Sequence, residues 1–504
     1  MFSIQRIIAF FKKNFNRKDL LYIGLILLIF FATRLINLDK FPIFTDEGIY
    51  INWAKIAKND AAWRFISLTD GKQPLQTWFT IFFLKFFPDN ALFAGRLFAV
   101  TGGFAALSGL YFLTFYLFNK KAAYWSALLY IFTPYFLFYD RLALVDSFVN
   151  AGFIWIFFLS IYLARNLRLD TALILGFLSG IFSLSKSSVR IFIGLAALSP
   201  ILFLEKNIKR FFANLTNFGF LYVVGLSISF LIYNIQRLSP YLHFVAEKNK
   251  TFVMTFQEFI QNPFSVFFTN IKSIPIYVFW ESAFLLPILG LIGLILLYKK
   301  DKRLALYFIL WIVLPYLALS FFAKVVFPRY LNFFATTFLI LSTYFLTVYK
   351  KKKFIKYIVI LLFASFLIFD IPIILAKNNI PLPPIDRGQY IEGTSAGHGV
   401  KEIIEYSREK SKEKPVVLIA EGNFGVVGDM LNSSLKPTDK INVKAYWPLD
   451  KKHLYENQIL LDDHLVYVVF SHRSEFPGIW PIDLVEKFEK PGGQSAFYLF
   501  QLKR

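Results

Sequence analysis

The segment Phe44-Thr45-Asp46-Glu47-Gly48-Ile49-Tyr50 follows the first long apolar run of the chain, Leu20 to Ile36. It places two adjacent carboxylates just beyond a stretch long enough to enter a bilayer. Carboxylates this close to hydrocarbon are costly to desolvate, so they usually pair with cations, bind metal or take part in chemistry. Asp46 and Glu47 therefore indicate a membrane protein with a polar site at the lipid boundary.

The composition agrees with an integral membrane protein. The 504 residues are 56% hydrophobic and 19% aromatic, with 63 Phe, and apolar runs of bilayer-spanning length recur along the chain. The first run is long and no small-residue cleavage site follows it, so it is interpreted as a span and not as a cleaved signal peptide. The absence of cysteine excludes disulfides, thiolate metal sites and thiol catalysis.

Eleven apolar segments are predicted to cross the membrane. They are residues 20–36, 91–118, 122–139, 147–164, 171–185, 189–204, 214–234, 276–298, 304–323, 330–349 and 354–376. The sequence thus predicts an α-helical polytopic membrane domain in residues 1–380. Its long first outer loop, residues 37–90, carries Asp46 and contains two amphipathic pieces, Tyr50 to Lys58 and Leu75 to Phe87, that are expected to lie flat at the interface with their aromatic faces in the lipid.

Basic residues cluster at every second junction between these segments. The net charge of +22 is distributed as the positive-inside rule requires, which argues against nucleic-acid binding. The clusters are Arg6, Lys12, Lys13, Arg17 and Lys18; Lys120 and Lys121; Arg165 and Arg168; Lys206, Lys209 and Arg210; Lys299, Lys300, Lys302 and Arg303; and Lys350 to Lys353. We therefore expect these junctions and the N-terminus on the cytoplasmic side of the plasma membrane, and the remaining junctions and the C-terminus outside.

The composition changes at the segment Pro381-Leu382-Pro383-Pro384, which is typical of a stiff linker. Beyond it, residues 401–411 have helical spacing, and three short β-branched or aromatic runs are punctuated by Pro and Gly. These runs are 415–420, 465–470 and 496–502. Residues 381–504 are therefore predicted to form a small soluble α/β domain on the extracytoplasmic side.

Three carboxylates are candidates for catalysis. A general base is one interpretation of Asp46 and Glu47, since a carboxylate in a low-dielectric cleft has a raised pKa. Alternatively, the two residues form a solvated pair or a helix N-cap in which Asp46 accepts backbone N–H bonds. Asp146 begins the fourth predicted span and supplies another carboxylate; alternatively, it caps that helix and forms an ion pair with Arg141.

Cations on the outer junctions run against the positive-inside pattern. Lys72 is interpreted as a point charge for phosphate, Lys186 as a seat for an anionic lipid headgroup, and Arg329 as a bidentate phosphate clamp. Alternatively, Lys72 and Arg329 snorkel to the interface and Lys186 compensates a helix dipole. Cations and carboxylates at the same depth in the membrane are typical of a site that transfers a group from a lipid-anchored phosphate to an acceptor. A carboxylate acts as the base that deprotonates the acceptor, while the cations stabilise the negative charge of the leaving phosphate.

Five short motifs resemble those of the lipid-sugar-dependent glycosyltransferases with a multispan GT-C fold, which include protein O-mannosyltransferases and the bacterial transferase that adds aminoarabinose to lipid A. The motifs are Asp46-Glu47, Lys72-Gln73-Pro74-Leu75 with Trp78, Arg141 through Asp146, Leu184-Ser185-Lys186, and Pro328-Arg329-Tyr330-Leu331. The resemblance covers most of residues 20–205. The chain departs from it at Gln73, where the family pattern is Lys-Pro-Pro-Leu, and at Ser187, where the pattern is Lys-Gly.

The resemblance implies a single inverting displacement that moves a sugar from a polyprenyl-phosphate donor, at the outer leaflet, to an extracytoplasmic lipid, glycan or protein acceptor. By matching position, Asp46 would be the base, Glu47 would support it, and Asp146 would line the acceptor side. The residues implied in phosphate binding are Lys72, Arg141, Lys186, Arg329 and Tyr330.

Several alternatives stay open at this point. The scheme requires no cofactor, although a divalent cation could be held by oxygen atoms of Asp46, Glu47 and Asp146. The same charges could also form the headgroup path of a lipid-linked sugar transporter or flippase. A third alternative is a non-catalytic membrane scaffold.

Overall fold

The computed structural model describes residues 13–204, 207–422, 424–425 and 427–504, without the side chain of Lys352. Among the basic residues assigned to the cytoplasm, Arg6, Lys12 and Lys206 lie outside the described residues.

The first three quarters of the described chain is helical. Its α-helices are α1 (Arg17–Leu35), α2 (Thr45–Asn59), α3 (Leu75–Phe86), α4 (Ala91–Leu117), α5 (Lys120–Phe132), α6 (Pro134–Tyr139), α7 (Asp146–Asn166), α8 (Leu169–Ser183), α9 (Val189–Ala196), α10 (Ile208–Tyr233), α11 (Phe244–Phe252), α12 (Phe256–Gln261), α13 (Phe267–Glu281), α14 (Leu285–Lys300), α15 (Lys302–Phe322), α16 (Asn332–Val348) and α17 (Lys352–Ile374). Each predicted apolar segment overlaps at least one of these helices, so the predicted polytopic helical architecture is confirmed.

Among the described residues, six helical stretches are long and apolar enough to cross a bilayer, judged by length and composition. They are Ala91–Leu117, Asp146–Asn166, Ile208–Leu238, Lys302–Phe322, Pro328–Val348 and Lys353–Ile374. A seventh crossing results if α13 and α14, which meet at an angle of 105°, form one broken span. The count of eleven spans stays a prediction.

Three predicted segments are divided in the structure. The segment 276–298 is broken between α13 and α14, where Ala283 and Phe284 have φ values of 52° and 56°, a left-handed conformation that cannot continue a right-handed helix. The segment 122–139 is divided at Thr133 because Pro134 lacks the N–H that would extend α5. The segment 189–204 consists of α9 and a 3₁₀ turn, Ser199–Phe203.

Small residues allow two pairs of helices to approach closely. A Cβ built at Gly176 of α8 would overlap the carbonyl of Gly225 in α10, and one built at Gly293 of α14 would overlap the carbonyl of Leu341 in α16. Glycine at such positions permits backbone contact between membrane helices, where van der Waals packing replaces the hydrophobic driving force of water.

The end of the chain forms a five-stranded mixed sheet. Its elements are α18 (Pro384–Arg387), α19 (Val400–Lys410), β1 (Val416–Glu421), α20 (Gly428–Ser434), β2 (Ile441–Tyr446), α21 (Lys451–Asn457), β3 (Leu465–Phe470), β4 (Ile482–Glu489) and β5 (Ala496–Leu502). The strand order is β2-β1-β3-β5-β4. Strand β1 is parallel to β2 and β3, with Val416 opposite both Ile441 and Leu465, while β5 is antiparallel to β3 and β4.

The predicted helix and three strands of this region are confirmed, but the sequence analysis missed β2 and β4. Both strands mix charged and apolar residues and lie at the two edges of the sheet, half-exposed. An edge strand with polar side chains lacks the continuous apolar run that reveals a buried strand such as β1.

Helix α2 lies between the membrane helices and the sheet. Met430 of α20 packs on Gly48, Asn52 Nδ2 donates to Asp429 Oδ1 at 2.6 Å, and Lys55 Nζ donates to two backbone carbonyls at the end of α20. The expectation that the aromatic face of this segment lies in lipid is wrong, because the aromatic side chains of α2 are buried inside the protein. Helix α3 does expose aromatic side chains: Phe79, Phe82 and Phe86.

Candidate active site

Asp46 lies in the first turn of α2 and meets cations from distant parts of the chain. Arg329 Nη2 donates to Asp46 Oδ2 at 3.0 Å, and Lys72 Nζ lies 3.6 Å from Asp46 Oδ1. Burial by itself would raise the pKa of Asp46, but Lys72, Arg329 and Lys186 outweigh it and lower the pKa to about 2. The carboxylate is therefore firmly ionised, and its side chain is still 27% exposed.

A second carboxylate and cation adjoin the first. Lys186 Nζ donates to Asp146 Oδ1 at 3.0 Å and lies 3.7 Å from the centroid of the Tyr330 ring, a cation–π contact. The hydroxyl of Tyr330 in turn lies 3.5 Å from Arg329 Nη2. We call the six residues of these two paragraphs the charged cluster: Asp46, Lys72, Asp146, Lys186, Arg329 and Tyr330.

Two loops that carry lysines of the charged cluster are hydrogen-bonded to each other. Gln73 Nε2 donates to Ser187 Oγ at 2.7 Å, and Leu75 N donates to the carbonyl of Leu184 at 3.0 Å. Gln73 and Ser187 are the two positions at which the chain departs from the family pattern. A proline and a glycine at these positions could not form a side-chain hydrogen bond, so the two departures together add a contact between the loops of Lys72 and Lys186.

The segment 235–275, which the sequence predicts to lie outside the membrane, contacts the charged cluster through Asp70. Lys72 Nζ lies 3.6 Å from Asp70 Oδ2, and Lys248 Nζ of α11 donates to Asp70 Oδ1 at 2.7 Å. Gly71 adopts a φ of +65° beneath the carbonyl of Phe244, where a Cβ would overlap. The sequence analysis missed Asp70 and Lys248. The only signal for Asp70 was its position beside Gly71 and Lys72, and Lys248 had none.

Arg329 rests on a buried layer of phenols and carboxyls that the sequence analysis also missed. Its guanidinium lies 3.4 Å from the hydroxyl of Tyr390. Behind Tyr390, the hydroxyl of Tyr139 lies between Glu281, at 3.2 Å, and Asp386. These residues come from α6, α13 and the segment after the predicted linker, so that segment forms part of the site.

Glu47 is not brought into the charged cluster. Its side chain is 0% exposed, and its two oxygens accept from Arg96 Nε and Nη2, both at 2.8 Å. They also accept the backbone N–H groups of Phe44, at 2.9 Å, and Ala143, at 2.6 Å. The contacts support a structural role in which Glu47, and not Asp46, caps the start of α2. Its predicted catalytic role has no geometric support.

Arg141 is also outside the charged cluster. It forms no ion pair with Asp146; its guanidinium donates to four carbonyls at the end of α1, at distances of 2.7 to 3.3 Å. The four carbonyls belong to Thr33, Arg34, Ile36 and Asn37. Unpaired carbonyls at a helix C-terminus attract cations, so Arg141 caps α1 and has no geometric support as a phosphate ligand.

The predicted divalent-cation ligands do not converge. Among the described residues, no group of three or more His, Asp or Glu side chains has a geometry that could hold a metal ion. Asp146 is engaged by Lys186 and Glu47 by Arg96, so Asp46, Glu47 and Asp146 do not fit the oxygen cage that a hard cation prefers.

Comparison with known proteins agrees with this geometry. Residues 71–233, which include Lys72, Asp146 and Lys186, match the family model described as dolichyl-phosphate-mannose-protein mannosyltransferase. No curated protein matches the chain in sequence.

Solved structures share the fold at low sequence identity. ArnT from Cupriavidus metallidurans, in its apo state and bound to undecaprenyl phosphate, is 13% identical with a TM-score of 0.60, over 95% of this chain and 97% of ArnT. The chain therefore has a GT-C-type fold. The archaeal oligosaccharyltransferase AglB from Archaeoglobus fulgidus, in complex with an inhibitory peptide and a dolichol-phosphate, has a TM-score of 0.53 at 13% identity; the match covers 91% of this chain and 69% of AglB.

Proposed function

We propose that this protein is a glycosyltransferase that moves a sugar from a polyprenyl-phosphate donor to a hydroxyl group on the outer side of the plasma membrane. The observation that carries the proposal is the convergence of Lys72, Lys186 and Arg329, from three distant loops, around Asp46. The ArnT and AglB structures hold undecaprenyl phosphate and a dolichol-phosphate, respectively. Their shared fold supports a lipid-linked phosphate as the anion for these cations.

In the proposed reaction, Lys72, Lys186 and Arg329 lie around the phosphate oxygen on which negative charge develops. When the bond between the anomeric carbon and the phosphate oxygen breaks, the electron pair stays on that oxygen. Lys72 and Lys186 offer compact point charges, while Arg329 offers a planar guanidinium that can donate two parallel hydrogen bonds to phosphate oxygens. Charge neutralisation by these groups stabilises the leaving phosphate in the transition state.

Asp46 takes the proton of the acceptor hydroxyl. In the free enzyme its pKa of about 2 makes it a weak base. A bound phosphate attracts Lys72 and Arg329 away from the carboxylate and so removes the interactions that lower this pKa. Asp46 then becomes a better base. The acceptor oxygen attacks the anomeric carbon from the face opposite the phosphate, its proton passes to Asp46, and the configuration of the sugar inverts.

Contacts between helix ends support a cytoplasmic N-terminus. Lys120 Nζ lies 2.8 Å from Asp19 Oδ2, and Arg165 Nη2 lies 3.9 Å from Asp301 Oδ2. The positive-inside rule assigns both basic residues to the cytoplasm, and they lie at helix ends opposite to those that lead to the charged cluster. With these helix ends in the cytoplasm, the proposed topology is the one that the sequence predicts, with eleven spans and an extracytoplasmic domain in residues 381–504.

Donor binding and transfer are tested with the full-length protein in liposomes, using a panel of polyprenyl-phosphate sugars labelled in the sugar. We expect Arg329→Ala to weaken donor binding at least about tenfold, because a hydrogen bond to a charged group contributes about 1.5–3 kcal/mol. Lys85→Ala, which removes an exposed lysine of α3, is the matched control. Donor binding that is unchanged in Arg329→Ala would contradict the proposal.

Two outcomes would favour the alternatives. A transporter would move labelled donor across liposomes without any acceptor present, and it would not require Asp46. A scaffold would show no transfer in the wild type with any donor of the panel. Near wild-type transfer by Asp46→Asn, with donor binding intact, would remove Asp46 as the base.

A further inference from the structure

The carboxyl ends of β1 and β3 lie side by side in the middle of the C-terminal sheet. The chain passes from β1 to β2 on one side, while β3 pairs on the other side of β1. In open α/β sheets, such a switch point leaves a crevice outside the carboxyl ends of the strands, and ligands bind there. The polar and aromatic residues at this edge are Glu421, Trp447, Ser471, His472 and Arg473.

Glu421 is a buried carboxylate with hydrogen bonds to only one of its two oxygens among the described residues. Its side chain is 1% exposed, and Arg473 Nε donates to Oε1 at 2.7 Å. Within the part of the chain that the structure describes, Glu421 Oε2 has no hydrogen-bond partner. A buried polar atom without a partner costs about 1–3 kcal/mol. A hydrogen-bond donor placed at this oxygen would offset that cost.

Trp447 offers an apolar surface beside this carboxylate. The residue is 58% exposed, and its ring lies edge-on to His472 with 5.2 Å between the centroids. Trp447 directly follows β2 and His472 comes just after β3, so both rings stand at the same edge as Glu421. Ligand sites combine such aromatic surface with a few fixed polar groups.

The same edge of the sheet is connected to the start of α2. Lys490 Nζ donates to the carbonyls of residues 393 and 394, at 3.1 and 3.0 Å, and lies 3.4 Å from Ser471 Oγ. The next carbonyl, that of Ser395, accepts from Thr45 N at 3.1 Å and Thr45 Oγ1 at 3.0 Å. Thr45 immediately precedes Asp46. A series of hydrogen bonds thus joins this edge of the sheet to the residue that precedes Asp46.

We propose that this crevice binds a carbohydrate portion of the acceptor, with Trp447 and Glu421 as its principal contacts. A sugar ring presents C–H groups on its face, which stack on an indole, and hydroxyl groups at its edge, one of which donates to Glu421 Oε2. Arg473 keeps the Glu421 side chain in place. The inference rests on the proposed function, because it assigns the acceptor of that same transfer to the class of glycans.

The test measures binding of methyl glycosides and short oligosaccharides to the full-length protein in nanodiscs by saturation-transfer NMR. We expect Trp447→Ala and Glu421→Gln each to weaken binding at least about tenfold. Trp63→Ala removes another exposed indole, 39% exposed on the first outer loop, and is expected to leave binding unchanged. Trp447→Ala changes a surface residue, so it keeps the test valid if Glu421→Gln lowers the unfolding temperature.

Polyprenyl-phosphate binding is measured in the same samples and is expected to be unchanged in all three variants. This inference would be overturned if the protein bound polyprenyl phosphate but bound no glycoside, or if glycoside binding were unaffected by Trp447→Ala. Either result would leave the proposed function standing. A serine-rich peptide that binds through Trp447, when no glycoside does, would also overturn it in favour of a protein acceptor. Loss of polyprenyl-phosphate binding in Arg329→Ala but not in Trp447→Ala would show that the two sites are separate.

Discussion

Asp46→Asn is expected to increase the affinity for polyprenyl phosphate while it abolishes transfer. In the free enzyme the carboxylate occupies Lys72 and Arg329, the same cations that a phosphate needs. These ion pairs and Lys186 lower the pKa of Asp46 from 3.8 to about 2 against the effect of burial. Since one pKa unit corresponds to about 1.36 kcal/mol, the cations favour the ionised carboxylate by about 2 kcal/mol.

A phosphate that binds to the wild type must first displace this internal competitor. The substitution Asp46→Asn keeps the volume of the side chain and removes its charge, so the affinity for phosphate rises by up to about thirtyfold. Transfer is lost because an amide cannot accept the proton of the acceptor hydroxyl. Calorimetric titration of the nanodisc protein with a short-chain polyprenyl phosphate measures the first effect, and transfer of labelled sugar measures the second.

Asp89→Asn is the matched control, because Asp89 is an exposed carboxylate of the same outer loop and the change alters the net charge equally. An affinity that is unchanged or lower in Asp46→Asn, or that rises equally in the control, would refute the competition between Asp46 and phosphate.

The pH dependence provides a second check on Asp46. Because the folded pKa of Asp46 is lowered, its stabilising effect is complete above its ordinary pKa of 3.8 and is lost only as the pH falls through about 2. The affinity for phosphate should therefore fall only below about pH 6, where phosphate itself gains a proton, in both wild type and variant. A rise in affinity as the pH falls towards 6, in the wild type alone, would show that Asp46 gains its proton in that range, contrary to its lowered pKa.

Two further predictions concern the residues that support the site. Glu47→Gln should lower the free energy of unfolding by about 3–5 kcal/mol, as measured by chemical denaturation, because it leaves Arg96 buried without its countercharge. The phosphate affinity of the folded protein should not change. A loss of phosphate affinity at unchanged stability would contradict the structural role of Glu47. Gln73→Ala and Ser187→Ala should show a coupling of about 0.5–1.5 kcal/mol in a double-mutant cycle of phosphate affinity, whereas strictly additive effects would mean that other contacts hold the two loops together.

Several features of the charged cluster could be predicted because each residue breaks a local rule. Lys72, Lys186 and Arg329 are cations on outer junctions, and Asp46 and Asp146 are carboxylates at the lipid boundary. All five meet in the structure. The same rule also selected Glu47 and Arg141, which the fold uses to hold α2 and to cap α1, because an unusual charge at a helix end has structural uses as well as chemical ones.

Other contributors had no local signal at all. Lys248 is one basic residue in a polar outer segment, and Tyr390 is one aromatic residue beyond a proline-rich stretch. Their importance depends on which loops fold over the charged cluster, a long-range property that hydropathy and charge patterns do not contain. The pairing of Gln73 with Ser187, which are 114 residues apart, is of the same kind.

The amino-acid sequence alone determines the helical membrane architecture. Whether a segment enters the bilayer depends on the total hydrophobicity of about ten or more neighbouring residues, and the thickness of the bilayer sets the length of each span. The distribution of basic residues then sets the orientation of the spans. Only the tertiary structure decides between Asp46 and Glu47. The two carboxylates are neighbours on one helical turn, about 100° apart around the helix axis, so one faces the cations of the cleft while the other is buried against Arg96.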